Sequence, residues 1–200
     1  MKRMPYLLTV GLVLVAWLSA NSQTNVIGPP LGLEWGMPYS EVASKLKTKN
    51  IDIDKPKEEK KFKLPDGFKV AKVGKYEVLD KKTEDNLACF NSDGELCAFQ
   101  INLRWFGDES SAKAEQFWEK DLKKALEGKY SGEGFKKHTD PDMDGNIPEL
   151  AFRDEIGNEV AAFRTSGSNI LGKVSLIQVF YTNEEIMRET RKQQKQTEEL

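Results

Sequence analysis

Hydrophobic and polar positions alternate most regularly between Leu96 and Phe106. A period of two over that length is typical of a strand with one buried face and one exposed face. The apolar positions that fall on one side are Cys97, Phe99, Ile101, Leu103 and Trp105. A second apolar run, Asn86–Phe90, comes just before this segment, so the two are predicted to be the strands of a hairpin.

A helical period of three and four residues begins after Ser110. The apolar positions on that period are Ala114, Phe117, Trp118, Leu122, Ala125 and Leu126. This spacing predicts a helix to about Leu126 that stops at Gly128, because glycine favours the end of a helix. A shorter helix is predicted at 39–46, where Pro38 occupies the first turn.

The remaining patterns are weaker but complete the order of elements. Segment 54–63 is too charged to bury and 134–145 is rich in turn residues, so both are predicted to be loops. Further strands are predicted at 68–79, 149–153, 159–165 and 173–181, and a polar helix at 184–200. Helices followed by runs of strands predict an α+β fold with antiparallel sheets.

The two halves of the chain resemble each other. Residues 88–94 match 161–167, and residues 105–109 match 180–184. A tandem duplication of a helix-plus-sheet unit explains this order, and two unrelated hairpins with common turn chemistry are the alternative. The predicted organisation is a leader at 1–22, a first repeat at 23–109, a second repeat at 110–182 and a polar C-terminal helix at 183–200.

The segment Trp35-Gly36-Met37, followed by a helix that carries Glu41-Val42 and then Leu46, resembles the entry to a known repeat. It is similar to the repeat of the beta-lactamase inhibitor protein and to the small lipoprotein of the outer-membrane barrel-assembly machinery. The resemblance implies a short helix packed on a small antiparallel sheet, in tandem copies. Pro38 departs from the usual Ser or Thr cap, and no functional residue of either family is carried over.

The N terminus has the three parts of a secretory signal peptide. Lys2 and Arg3 precede an apolar run at 7–18, and small residues follow. Cleavage is predicted after Ala20 or Ser22, and no cysteine follows that could carry a lipid anchor. The apolar run is short for a hydrocarbon core of ~30 Å, so an uncleaved membrane anchor is the weaker alternative. The protein is therefore predicted to be periplasmic or secreted.

Charge excludes one class of partner and suggests another. The formal net charge is −2, which gives no electrostatic footprint for nucleic acid. The region from Lys45 to Lys82 nevertheless holds 13 lysines against 7 acidic residues. That excess predicts a weak contact with anionic surfaces, and a solvated lysine-rich loop is the alternative reading.

An exported chain can form disulfides, and Cys89 and Cys97 flank a turn. Asn91 to Gly94 is a good type I turn, which pairs Asn91 with Glu95. This register places Cys89 directly opposite Cys97, at a separation that a disulfide tolerates. A hairpin disulfide between Cys89 and Cys97 is therefore predicted.

The supply of catalytic residues is small. His138 is the single histidine, so histidine-rich metal sites are excluded, and its polar neighbours indicate a surface position. Cysteine and serine nucleophiles would both need this residue as their base. Paired carboxylates remain open as acid and base, although no spacing singles out a pair. Three tryptophans in apolar patterns are predicted to be core residues rather than sugar platforms: Trp35, Trp105 and Trp118.

The sharpest local motif is Asp140-Pro141-Asp142-Met143-Asp144-Gly145-Asn146. Acidic residues at alternate positions followed by glycine match the first part of a calcium loop, with Asp140, Asp142, Asp144 and Asn146 as ligands. The closing glutamate is missing, because Ala151 stands at its position. One interpretation is a calcium site, and no other cofactor is predicted for the chain. The alternative interpretation is a solvated acidic turn.

These patterns together favour an exported, non-catalytic binding protein that acts through an exposed face of its sheet. Its partner is predicted to be another envelope or secreted protein, as for an inhibitor or an assembly factor. One alternative is a small carboxylate-dependent hydrolase of cell-wall or exopolysaccharide polymers. A second alternative is a calcium-dependent adhesion or matrix module that depends on Asp140 to Gly145.

Overall fold

The computed structural model describes residues 25–59, 64, 66–141, 145–169, 172–184, 188 and 192. The predicted signal peptide lies outside these residues. Within them the chain has the predicted α+β fold, with two helices, a seven-stranded antiparallel sheet and a two-stranded ribbon. In this part of the chain neither helix has the length and apolar character that a membrane span requires.

Helix α1 is Tyr39–Thr48, and helix α2 runs without interruption through Ser110–Phe117, Trp118–Leu122 and Lys123–Tyr130. The first five strands are β1 Lys69–Val73, β2 Glu77–Val78, β3 Lys81–Lys82, β4 Asn86–Phe90 and β5 Leu96–Phe106. The last four are β6 Phe135–His138, β7 Leu150–Asp154, β8 Glu159–Asn169 and β9 Gly172–Thr182.

The large sheet has the strand order β1-β4-β5-β9-β8-β7-β6. Strands β5 and β9 pair along its centre, from Ala98 opposite Thr182 to Phe106 opposite Val174. Each half of the chain thus supplies a helix and then strands that end at the centre of the sheet. This order is the one that a tandem duplication predicts, and the duplication itself stays a prediction.

Both helices pack on the same face of the sheet, which we call the core face. Helix α1 buries Val42 and Leu46 there, and strand β5 buries alternate residues from Phe99 to Trp105. Trp118 is 2% exposed and Trp105 is 9% exposed, while Trp35 is partly buried against the same core. The three tryptophans are therefore core residues, as predicted.

The middle of α2 is π-helical, from Trp118 to Leu122. The buried positions along α2 follow one another at intervals of four residues: Ser110, Ala114, Trp118, Leu122, Leu126 and Tyr130. At 3.6 residues per turn such a stripe would rotate steadily away from the sheet. The wider turns of the π segment offset part of that rotation, so both ends of α2 contact the core.

The first residues described are anchored in the core. Ile27 is completely buried, and its N–H donates to Asp154 Oδ2 at 2.8 Å. The indole of Trp35 donates to the carbonyl of Ile27 at 2.7 Å. Asp154 also accepts from the backbone of Ile156 and from the backbone and side chain of Asn158. Asp154 therefore connects Ile27, which lies near the first described residue, to the β7–β8 turn.

Four predicted boundaries were wrong. The strand predicted at 68–79 is two separate strands, β1 and β2, which belong to different sheets. Strand β8 continues to Asn169, so Ser166 and Gly167 lie in the strand opposite Ser175 and Val174 and not in a turn. Segment 134–145 contains strand β6, and α2 continues through Gly128 to Tyr130. For the predicted C-terminal helix, positions 184, 188 and 192 are helical and the other residues after 184 lie outside the description.

The β4–β5 hairpin confirms one half of the predicted register and corrects the other. Phe90 lies opposite Leu96 as predicted, but a β-bulge places Cys89 opposite Ala98 and leaves Cys97 as the extra residue. The thiol of Cys97 donates to the carbonyl of Cys89 at 3.3 Å. The two cysteines lie 3.9 Å apart without a disulfide between them, and their oxidative pairing stays a prediction.

Candidate functional site

The second face of the large sheet, which we call the outer face, carries the side chains that alternate with those of the core. Among the described residues both helices pack on the core face, and two small apolar clusters lie on this side. One contains the loop residues Leu64 and Phe68 packed with Cys89, Cys97 and Ala98. The other contains strand residues alone. Its members are Ala151, Ala161, Phe163 and the partly buried Phe180. The outer face is therefore the surface that the predicted binding function requires.

Amide side chains occupy the centre of the outer face. Asn102 is 3% exposed, and its Oδ1 accepts from Gln100 Nε2 at 2.8 Å and from Gln178 Nε2 at 3.1 Å. Its Nδ2 donates to the carbonyl of Asp85 at 2.6 Å. Asn102 is thus fixed by its neighbours, while Gln100 and Gln178 each retain a side-chain carbonyl that can accept from a partner.

Aromatic and aliphatic side chains flank these amides. Phe163 and Phe180 pack edge to face with ring centroids 5.5 Å apart. Leu176 and Val174 follow along β9 and are partly exposed, and Phe106 at the end of β5 is 56% exposed. A surface of aromatic, aliphatic and amide side chains with few charges at its centre is typical of protein interfaces.

Four charged or titratable side chains form a rim cluster at the β6 side of the outer face. Arg153 donates to Glu159 Oε2 at 2.7 Å and to Asp140 Oδ2 at 3.1 Å. His138 Nε2 lies 3.2 Å from Glu159 Oε2. The side chain of His138 is 6% exposed, which corrects the predicted surface position. Pairing of β6 with β7 places it opposite Ala151, where small neighbours leave room for the ring.

The environment of His138 favours its neutral form. Burial lowers the pKa of His138, and Arg153 and Lys136 act in the same direction, whereas Glu159 and Asp140 oppose them without reversing the shift. The N–H of Asp140 donates to Nδ1 at 3.2 Å, so the neutral ring carries its proton on Nε2. The rim cluster is therefore a fixed arrangement of charges around an uncharged imidazole.

The structure bears on one residue of the predicted calcium loop. The carboxylate of Asp140 is held by Arg153, and a calcium ion would have to compete with that guanidinium. Asp142 and Asp144 lie outside the described residues. Over the ranges that the structure does describe, no group of three or more acidic, His or Cys side chains is close enough to hold a metal. Calcium binding by Asp140, Asp142, Asp144 and Asn146 stays a prediction.

A second candidate site is a pocket of about 220 Å³ at the end of the sheet, which we call the Arg164 pocket. Its lining consists of Ser111, Ala114, Glu115, Glu149, Arg164, Thr165, Ser166 and Leu176. Arg164 pairs with Glu115 of α2 and with Glu149 at 2.9 Å, and its guanidinium lies over the Trp118 ring. Burial lowers the pKa of Arg164, but the hydrogen bonds from Glu149 and Glu115 outweigh it and raise the pKa.

The Arg164 pocket contains the pair of acids that a carboxylate-dependent hydrolase would need. Both carboxylates contact one guanidinium, so each already has a partner of opposite charge. A glycoside hydrolase needs one of its two acids to hold a proton for the leaving group. The hydrolase alternative stays a prediction.

Comparison with family models, with curated proteins and with solved structures found no match to this chain. The sequence had identified neither the rim cluster nor the Arg164 pocket. The members of the Arg164 pocket are far apart along the chain, and Arg164 is 49 residues from Glu115. His138 and Asp140 of the rim cluster were named from the sequence, but the pairing of β6 with β7 and of β7 with β8 is what brings them to Arg153 and Glu159. The alternation in β5 was the one local pattern that pointed to the outer face, through Gln100 and Asn102.

Proposed function

We propose that this chain is an exported, non-catalytic binding protein whose partner is another envelope or secreted protein. The observation that carries the proposal is the outer face, on which neither described helix packs. Its partly exposed side chains include Gln100, Leu176, Gln178 and Phe180. Aromatic side chains and Arg are enriched at protein interfaces, and Phe163, Phe180 and Arg104 belong to this face. Its broad shape suits a protein surface better than a small substrate.

The charges around the outer face support a protein partner as well. Arg104 pairs with Asp85 on one side, and Arg153 pairs with Glu159 on the other. A charged rim around a centre without charged side chains is the usual anatomy of a protein interface. Such rim charges change the rate of association and its salt dependence more than they change the final affinity.

The experiment places a photo-crosslinking amino acid at Gln100, in the centre of the outer face, and at Ile156, a loop residue that is 63% exposed. Both variants are produced in the source cell and irradiated there. We expect a discrete crosslinked protein at Gln100 and not at Ile156. The identified partner is then purified and its affinity is measured by calorimetry.

The matched variants Gln100→Arg and Ile156→Arg complete the test. Gln100→Arg retains a donor for Asn102 but adds bulk and charge to the outer face, so we expect at least a tenfold loss of affinity. Ile156→Arg should leave the affinity unchanged. Identical crosslinks at both positions, or equal affinities of the two variants, would overturn the proposed interface.

A further inference from the structure

Strand β8 is longer than its neighbour β7, and this leaves part of its edge open. The β7–β8 ladder ends where Leu150 pairs with Ala162, whereas β8 continues to Asn169 along β9. Among the described residues no strand lies beside β8 beyond Ala162 on the β7 side. An open edge of this kind can accept an additional strand.

The hydrogen bonds at the other end of β8 show which of its backbone N–H and C=O groups point toward the unpaired side. Asp154 N–H donates to Asn158 O, and Glu149 N–H donates to Ala162 O, each at 2.9 Å. Even-numbered residues therefore direct their backbone groups toward β7, and this alternation continues along a regular strand. Arg164, Ser166 and Ser168 are next in the series, and their N–H and C=O groups face the open side.

The Arg164 pocket lies at the base of this open edge. Arg164, Thr165 and Ser166 line it from β8, and Glu149 lines it from the residue before β7. The Nε atom of Arg164 is buried and has no hydrogen-bond partner among the described residues. A buried donor without a partner carries a free-energy cost, which the carbonyl of an added strand can remove.

The charges that line the Arg164 pocket determine which type of side chain an added strand can place there. Two carboxylates, Glu115 and Glu149, face one guanidinium, so the lining has an excess of one negative charge. Hydroxyl groups of Ser111 and Ser166 add acceptors for N–H donors. A side chain that points from an added strand into this pocket is therefore best provided by Lys or Arg.

We propose that the open edge of β8, from Arg164 to Ser168, binds an extended peptide segment of a partner protein as an additional antiparallel strand. The peptide places one Lys or Arg side chain in the Arg164 pocket, between Glu115 and Glu149. This mode of recognition gives affinity through the backbone and specificity through the pocket. The inference deepens the proposed binding function by adding a surface that is separate from Gln100.

The experiment begins with random nine-residue peptides displayed on phage and selected on the purified chain without its leader. We expect selected peptides to share a basic residue at one fixed position. In hydrogen exchange measured by NMR, the amides of Ser166 and Ser168 should exchange fast in the free protein, because they face the open edge. Those of Thr165 and Gly167, which face β9, should exchange slowly. Binding of a selected peptide should slow exchange at Ser166 and Ser168 at least tenfold.

Two pairs of variants separate the parts of the proposal. Ser168→Pro removes an edge N–H and should weaken peptide binding at least tenfold, while Ser168→Ala retains it and, because Ser168 does not line the pocket, should bind normally; thermal melting checks that both fold. Glu149→Gln should reduce the preference for a basic residue. Gln100→Arg should bind the peptide as well as the wild type does, so failure of the outer face is distinguishable from failure of the edge.

Three results would overturn the proposal. The first is selection of peptides without a basic residue, or selection of none. The second is binding of the peptide that leaves the amides of Ser166 and Ser168 unprotected. The third is protection of these two amides that rises with protein concentration in the absence of peptide, which would identify a second copy of the chain as the occupant.

Discussion

The two faces of the large sheet are built from alternate residues of the same strands, yet their buried side chains are kept from water in different ways. On the core face, Leu103 and Ile177 are completely buried beneath the helices. On the outer face, Asn102 is equally hidden from water, but neighbouring amides bury it and no described helix does. Low exposure therefore has two origins here, and only one of them depends on a helix packed on the sheet.

This difference predicts different costs for the same change on the two faces. Leu103→Ala removes a completely buried side chain of β5 and should lower the free energy of unfolding by about 2–5 kcal/mol. Leu176→Ala, on the outer face of β9, should cost about 1 kcal/mol, because that side chain is already partly in water. Urea unfolding followed by circular dichroism measures both. Equal losses would show that the outer face is covered in the free protein.

Two aspartates sharpen the comparison for polar groups. Asp154 is 6% exposed and accepts hydrogen bonds from Ile27, Ile156 and Asn158, so Asp154→Ala should cost about 2–4 kcal/mol by leaving these donors unsatisfied. Asp140 is 61% exposed in the rim cluster, and Asp140→Ala should cost no more than about 1 kcal/mol. Urea unfolding followed by circular dichroism measures both losses of stability. A larger loss for Asp140→Ala than for Asp154→Ala would contradict the prediction that the buried aspartate contributes more to stability than the one in the rim cluster.

The predicted disulfide would strengthen the β4–β5 hairpin without a new contact to either helix. Closing a loop of this length should add at most about 2.5 kcal/mol to the free energy of unfolding. The gain should be smaller because hydrogen bonds from Asp93 and Glu95 to Asn91 already order the turn. Mass spectrometry with and without reductant before alkylation determines the oxidation state. Two reduced thiols in protein recovered from its native compartment would contradict the prediction.

The smallest expected effect is the pH dependence that His138 gives to the free energy of unfolding. This effect reports on the outer face alone. Its pKa is lower in the folded protein than the ordinary value of 6.5, so the unfolded chain binds the proton more readily. The free energy of unfolding should therefore fall as pH decreases from 7.5 through 6.5, and should be nearly constant above that window. The variant His138→Gln should lose this dependence, because the chain has one histidine. A wild-type profile as flat as that of the variant would show that the pKa is not shifted.

Local sequence patterns predicted those elements whose conformation depends mainly on their own residues. The bounds of β5 were correct because its alternation continues to both ends, and those of β4 were correct because a short apolar run precedes a recognisable turn. Helix α1 was predicted to within two residues. Strand β6 was missed because its lysines resemble a solvated loop, although pairing with β7 makes it a strand. The serines and glycine of β8 are typical turn residues, and pairing with β9 overrides that preference.

The candidate site was harder to predict because it depends on register. The bulge at Cys97 shifts the pairing by one position, and no residue type in that turn announces it. His138 is buried by neighbours on β7 and β8 that a single strand cannot reveal. Arg164 and its two glutamates come from three separate elements. What the alternation of β5 did predict was a polar stripe opposite the core.

The anchor of Ile27 on Asp154 has a consequence for the time at which the chain becomes folded. The two residues are 127 positions apart, and the central strand β5 has its main partner in β9, the last strand described. A chain that is synthesised or exported from its N terminus therefore cannot close either contact until most of its length is available. The central pairing of the sheet and the N-terminal anchor thus form late. If the predicted signal peptide directs export, this delay keeps the sheet incomplete while the chain crosses the membrane.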